Sequence, residues 1–136
     1  MAERLRALLI YERQEPFESL RRTLQDLCVD TYSAATCREA EDLIFQCRPH
    51  VIFTETSVND GSGVRVLNRA ETANLRISVI VVSAVPDTRL YLSVMEGGAF
   101  DFVAPPFEHA PLEFIVRSAA LNVDRHRGAL AHTALH

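Results

Sequence analysis

Short continuous apolar runs alternate along the chain with stretches whose apolar residues return every three or four positions. Ala7-Leu8-Leu9-Ile10-Tyr11 is a run of the first kind, as a strand buried on both faces would be. From Glu15 to Cys28, Phe17, Leu20, Leu24 and Leu27 recur at helical steps and predict an amphipathic helix. Val29 to Ser33 is a second strand. Thr36 to Cys47 follows as a helix with Ala40, Leu43 and Ile44 on one face. Thr36-Cys37-Arg38-Glu39 matches a capping box: Thr36 caps the helix, and the Glu39 carboxylate is expected to reach back to the Thr36 amide.

Val51-Ile52-Phe53-Thr54 is a third buried strand, ended by Glu55. Asn59-Asp60-Gly61-Ser62-Gly63 is a dense turn cluster, and a helix is expected from about Val64 to Thr72. Ile77 to Val82, mostly β-branched, is the fourth strand. Pro86-Asp87 opens a helix that ends at Gly97-Gly98, where glycine can take the left-handed conformation. Phe100 to Val103 is the fifth strand. Pro111 starts a last helix with Leu112, Ile115, Ala119 and Val123 on one side. Five strand–helix units predict an α/β fold with a parallel sheet covered on both faces. The expected packing is a flavodoxin-like, doubly wound (βα)5 architecture with strand order 2-1-3-4-5. Residues 1–124 form the domain, and 125–136 are read as a helical extension or a tail.

Composition narrows the chemistry. The chain has 136 residues, room for one domain. A net charge of −4 gives no general attraction to nucleic acid or anionic membranes, and the patch Arg125-His126-Arg127 is too small to change that. All 14 basic residues are Arg, so Schiff-base chemistry and a P-loop lysine are excluded. Cys28, Cys37 and Cys47 are odd in number and lack Cys-x-x-Cys spacing, which suits reduced thiols in a cytoplasmic protein. No apolar run approaches the roughly 20 residues of a membrane span.

In such sheets the functional crevice lies beyond the carboxyl ends of the strands. Four landmarks stand there: ALLIYE at the first strand, PHVIFTE at the third with Gly63 eight residues beyond Glu55, Ser83-Ala84 after the fourth, and GAFDFVAPPF at the fifth. Their order and spacing resemble the receiver domain of bacterial response regulators over about residues 5 to 124. That resemblance implies an aspartate phosphoacceptor ending the third strand and a divalent metal held by an acidic pair ending the first. It also implies a Ser or Thr after strand four and a Lys after strand five, both binding the phosphoryl oxygens. Glu12 matches the second acid, Ser57 the position whose carbonyl helps hold the metal, Ser83 the hydroxyl and Ala84 the small residue beside it. Pro106 matches the family's proline after the lysine position, where a cis bond is compatible with the sequence.

Three positions depart from the pattern. Glu55 replaces the phosphoacceptor, Tyr11 the first acid and Pro105 the lysine. The extra methylene of Glu55 displaces the carboxylate by about one bond length, and an error of about 1 Å can cost roughly 10²-fold in an in-line transfer. Pro105 offers no charge to the transferring group, and no other Lys exists to replace it. Tyr11 removes a hard oxygen ligand, so no cofactor is expected. A residual Mg²⁺ site would rest on Glu12, Glu55 and the Ser57 carbonyl. Glu12 and Glu55 should lie close together, with Arg13 the nearest counterion in sequence.

The expected function is that of an atypical receiver, not phosphorylated and not an enzyme, acting in signal transduction by protein contact. Its partner would be an output domain, a kinase or a second copy. The resemblance places that contact on the fourth helix, fifth strand and fifth helix, where Tyr91 and Phe102 stand. Glu55 is read either as a mimic of a phosphorylated aspartate or as a vestigial strand-end carboxylate. The alternatives are a receiver phosphorylated by a histidine kinase through an altered site, and a flavodoxin-like module for a small ligand. Against an enzyme, no His falls at a strand end near Ser83 or the cysteines.

Overall fold

The computed structural model describes residues 4–55, 57–58, 61–62, 77–85, 87–96 and 98–135, with the pairs 57–58 and 61–62 and everything beyond residue 122 as backbone only. Its elements are β1 (Arg6–Ile10), α1 (Gln14–Asp26), β2 (Asp30–Ala34), α2 (Cys37–Cys47), β3 (Val51–Thr54), β4 (Ser78–Val82), α3 (Thr88–Glu96), β5 (Asp101–Val103) and α4 (His109–Leu135). The helix expected over 64–72 lies outside the described residues, so α3 and α4 are the fourth and fifth helices of the expected order. Within the turn cluster, Gly61–Ser62 pairs antiparallel with Ser57–Val58 as a two-residue ribbon.

The sheet is parallel, in the order β2-β1-β3-β4-β5. Alternation along the strands divides the core into two layers. Ala7 and Leu9 of β1, Val51 and Phe53 of β3, and Ile80 and Val82 of β4 meet Phe17, Leu20 and Leu24 of α1 and Leu112, Val116 and Ala119 of α4. Leu8, Ile10, Ile52 and Val79 face the other way, onto Cys37, Ala40 and Ile44 of α2. Strands buried on both faces explain why the sequence shows continuous apolar runs rather than alternation.

Several element ends differ from the sequence reading, each for a local reason. Glu15 is non-helical (φ −99°, ψ 140°), so α1 becomes regular only from Pro16; a residue before proline is disfavoured in the helical region. At its other end, Cys28 takes the left-handed conformation (φ 63°). The Val29 amide donates to the Leu24 carbonyl at 3.0 Å and the Cys28 amide to that of Gln25 at 3.0 Å, a Schellman closure with cysteine in the glycine position. In α2 the Thr36 hydroxyl accepts from the Glu39 amide at 3.1 Å, as expected, but the Glu39 carboxylate takes the Ala35 amide at 3.2 Å instead of that of Thr36. α4 begins at His109, two residues before Pro111. Proline is tolerated there because the amides of a first turn have no intrahelical partner. α4 then runs unbroken through Asp124 to Leu135. Gly98 (φ 102°) follows α3 in the left-handed region, where a side chain would be strained.

Candidate functional site

The parallel register sets Tyr11, Glu55 and Ser83 one residue beyond the ends of their strands. Ladder bonds continue for one step there: the Glu55 amide donates to the Ile10 carbonyl (3.2 Å), the Tyr11 amide to that of Ala34 (3.0 Å) and the Ser83 amide to that of Val103 (3.0 Å). The positions read from the sequence therefore share one rim of the sheet. Their side chains do different things on it.

Glu55 is half-buried and turns towards the loop after β1. Its Oε1 accepts from the amides of Glu12 and Arg13, each at 3.2 Å. Glu12 and Glu55 are thus brought together, but through the carboxylate of one and the backbone of the other. Arg13, expected as a counterion, contributes its amide to Glu55. Tyr11 stacks on Phe17 of α1, with ring centroids 4.7 Å apart and planes 12° from parallel. Its phenol thereby packs against the α1 side of the core. On the same helix Arg21 is hydrogen-bonded to Glu18. That bond and the Glu18 charge, with a smaller pull from Tyr11, raise the guanidinium above its ordinary value, so it stays cationic.

On the other side of the rim, the Ser83 hydroxyl donates to the Val85 carbonyl at 2.8 Å and accepts from the Val85 amide at 3.4 Å. It closes a local turn. Ala84 is exposed beside it. Pro105 is joined to Pro106 by a cis bond, the isomer admitted by the sequence, and brings no charge to the rim. Phe102 of β5 meets Tyr91 of α3 edge to face, with centroids 6.0 Å apart and planes at 87°. The two aromatic residues assigned to a signalling surface therefore form one contact, with Tyr91 41% exposed.

Mg²⁺ demands near-octahedral oxygen ligation. Tyr11 stands in place of one carboxylate, and the Glu55 oxygen already faces two N–H donors. The Ser57 position is paired with Ser62 in the ribbon. Among the described residues no three His, Cys, Asp or Glu side chains converge as a metal site would need. The donor set does not fit the ion. The two amides that Glu55 holds escaped the sequence reading, because a backbone N–H has no residue signature; the extra methylene of Glu55 was the only hint.

Comparisons with known proteins identify the family and agree on the fold. The response regulator receiver domain family matches residues 7–117. Among curated proteins, the response regulator protein PilR of Pseudomonas aeruginosa is 26% identical over 116 residues, which is 85% of this chain and 26% of PilR. The chain therefore spans about a quarter of that relative's length. The signal receiver domain of an HD domain-containing protein from Pseudomonas fluorescens superposes with a TM-score of 0.78 at 18% identity, covering 94% of this chain and 95% of that one. NtrX from Brucella abortus gives a TM-score of 0.79 at 18% identity, covering 95% of this chain and 29% of that one. With the strand order and the rim of the sheet as described, the match over residues 7–117 makes this chain a member of the receiver domain family of two-component response regulators.

Proposed function

We propose that this chain is an atypical receiver that works by protein contact and takes up no phosphate. One observation carries the reading: the Glu55 carboxylate, at the phosphoacceptor position, is bonded to the amides of Glu12 and Arg13. Two further features support it. Ser83 spends its hydroxyl on Val85, and Pro105 supplies no cation where a transferring phosphoryl group would need one. Phosphoaspartate mimicry is the weaker variant, since the Glu55 oxygen turns to the loop after β1 while Ser83 serves its own turn. No cofactor and no catalytic step are assigned. The receiver unit is taken as residues 1–124 with 125–136 as its extension, in a cytoplasmic protein that binds neither nucleic acid nor membrane through this unit.

The partner surface is assigned to α3, β5 and α4. α3 buries none of its residues, and Tyr91 and Leu92 (54% exposed) are exposed on it, with Val85 (67% exposed) in the segment that precedes it. Exposed apolar residues grouped on one element mark a contact surface better than scattered ones do. The partner is an output domain, a kinase or a second copy. The deciding experiment incubates the protein with a small phosphodonor and Mg²⁺ and measures intact mass. An unchanged mass is expected; a stable phosphoryl adduct on Glu55 would overturn the proposal.

A further inference from the structure

We propose that Glu55 does internally what a bound divalent ion would do at this rim: it ties the end of β3 to the loop between β1 and α1, without metal. The inference deepens the functional reading above and rests on it for its meaning. It follows from where the hydrogen-bond donors point. Two successive amides, Glu12 and Arg13, converge on one carboxylate oxygen at 3.2 Å each. Successive backbone N–H groups aimed at one point make an anion site, with the positive ends of their dipoles directed at the occupant. A cation approaching the same oxygen would meet those positive ends. The loop therefore turns two backbone donors towards this oxygen, and Glu55 is the anion that they receive.

Side-chain length is part of the design. Shortening Glu55 by one methylene withdraws the carboxylate by about 1.5 Å, a C–C bond length. From bonds of 3.2 Å that retreat leaves both amides beyond hydrogen-bond reach. An aspartate at this position would leave the loop untied and its own oxygens open. The glutamate has the reach that the tie requires, which gives the substitution a structural purpose. Tyr11 acts in the same direction, because stacking on Phe17 anchors the start of the loop by packing rather than by ligation.

The test is amide hydrogen exchange on the full chain, read by NMR at Glu12 and Arg13, with and without millimolar Mg²⁺. Mn²⁺ serves as a paramagnetic probe of the same rim. In the unaltered protein the two amides should be protected, Mg²⁺ should not change them, and Mn²⁺ should leave their signals unbroadened. Glu55→Ala should speed exchange at those two amides about tenfold or more, the loss expected for a charge-assisted bond. Glu55→Asp should behave like Glu55→Ala, while Glu55→Gln, which keeps an acceptor of the same length, should fall between. Saturable Mn²⁺ broadening at these amides in the unaltered protein overturns the tie, and so does exchange indifferent to all three substitutions. A variant that unfolds leaves the Mn²⁺ measurement on the unaltered chain decisive. A phosphoryl adduct without Mn²⁺ broadening overturns the functional reading alone; Mn²⁺ broadening without an adduct overturns the tie alone.

Discussion

Where the strands begin, the buried side chains of His50 and Ser78 fasten neighbouring segments; where they finish, Glu55 does so from a half-buried position with exposed bonds. At the beginning, His50 is 5% exposed and its Nδ1 accepts from the Arg6 amide at 3.0 Å, while its own amide donates to the Arg6 carbonyl at 2.8 Å. Arg6 in turn donates from Nε to the Cys47 carbonyl (2.8 Å) and from Nη2 to that of Arg48 (3.0 Å), satisfying the end of α2. Ser78, also buried, donates to the Ala119 carbonyl at 3.0 Å and accepts from Asn122 at 3.2 Å, which pins α4 to the start of β4. At the finishing end, Glu55 takes two amides of the loop after β1 in a more open setting. The buried side chains of His50 and Ser78 cannot turn to water when a partner is lost, so their bonds carry more of that cost than the exposed bonds of Arg6 to Arg48 and of Glu55. The rim that carries phosphoryl chemistry in the family pattern is here held together much as the opposite end is.

The largest test of this contrast is at His50. His50→Ala removes a buried acceptor from the part-buried Arg6 amide and should cost about 2 kcal/mol of folding stability by chemical denaturation. His50→Asn keeps a side-chain acceptor near the same place and should recover part of that. A cost below that of Glu55→Ala would reverse the ranking of the two ends. A smaller effect is expected at the finishing end, between Tyr91 and Phe102. A double-mutant cycle to alanine should return a coupling of about 1 kcal/mol for the edge-to-face pair, and a coupling near zero would mean that α3 rests on β5 without specific contact. The smallest is a gain. Cys28 occupies a left-handed position that glycine adopts freely, so Cys28→Gly should raise stability by about 0.5 kcal/mol in the same denaturation assay.

What could be read from the sequence was whatever depends on the pattern of apolar side chains. Ala7 to Tyr11, Val51 to Thr54 and Ile77 to Val82 announced strands buried on both faces, and their spacing with helices led to the observed sheet order. The rim positions Tyr11, Glu55, Ser83 and Pro105 followed from the strand ends. What Glu55 and Ser83 do there is hidden, because their partners are main-chain groups: Glu55 on two amides and Ser83 on the Val85 carbonyl, as Glu39 of α2 is on the Ala35 amide. Residue identity fixes where a side chain starts and how far it reaches. It does not fix which neighbouring amide lies within that reach, since this depends on loop conformation. The role of His50 is hidden for the related reason that a lone histidine beside an apolar run carries no signal until β1 is laid next to it.

α3 is nine residues long and buries none of them, with the Asp87 carboxylate capping its amides at Arg89 (2.9 Å) and Leu90 (3.2 Å). Helices shorter than about 12–15 residues are marginal in water on their own. Its helicity therefore depends on the cap, on the ring contact with Phe102 and on the packing of its half-buried residues Leu90, Val94 and Met95. A partner laid on its exposed face would then register as a change in order along residues 88–96, with no movement of the sheet required.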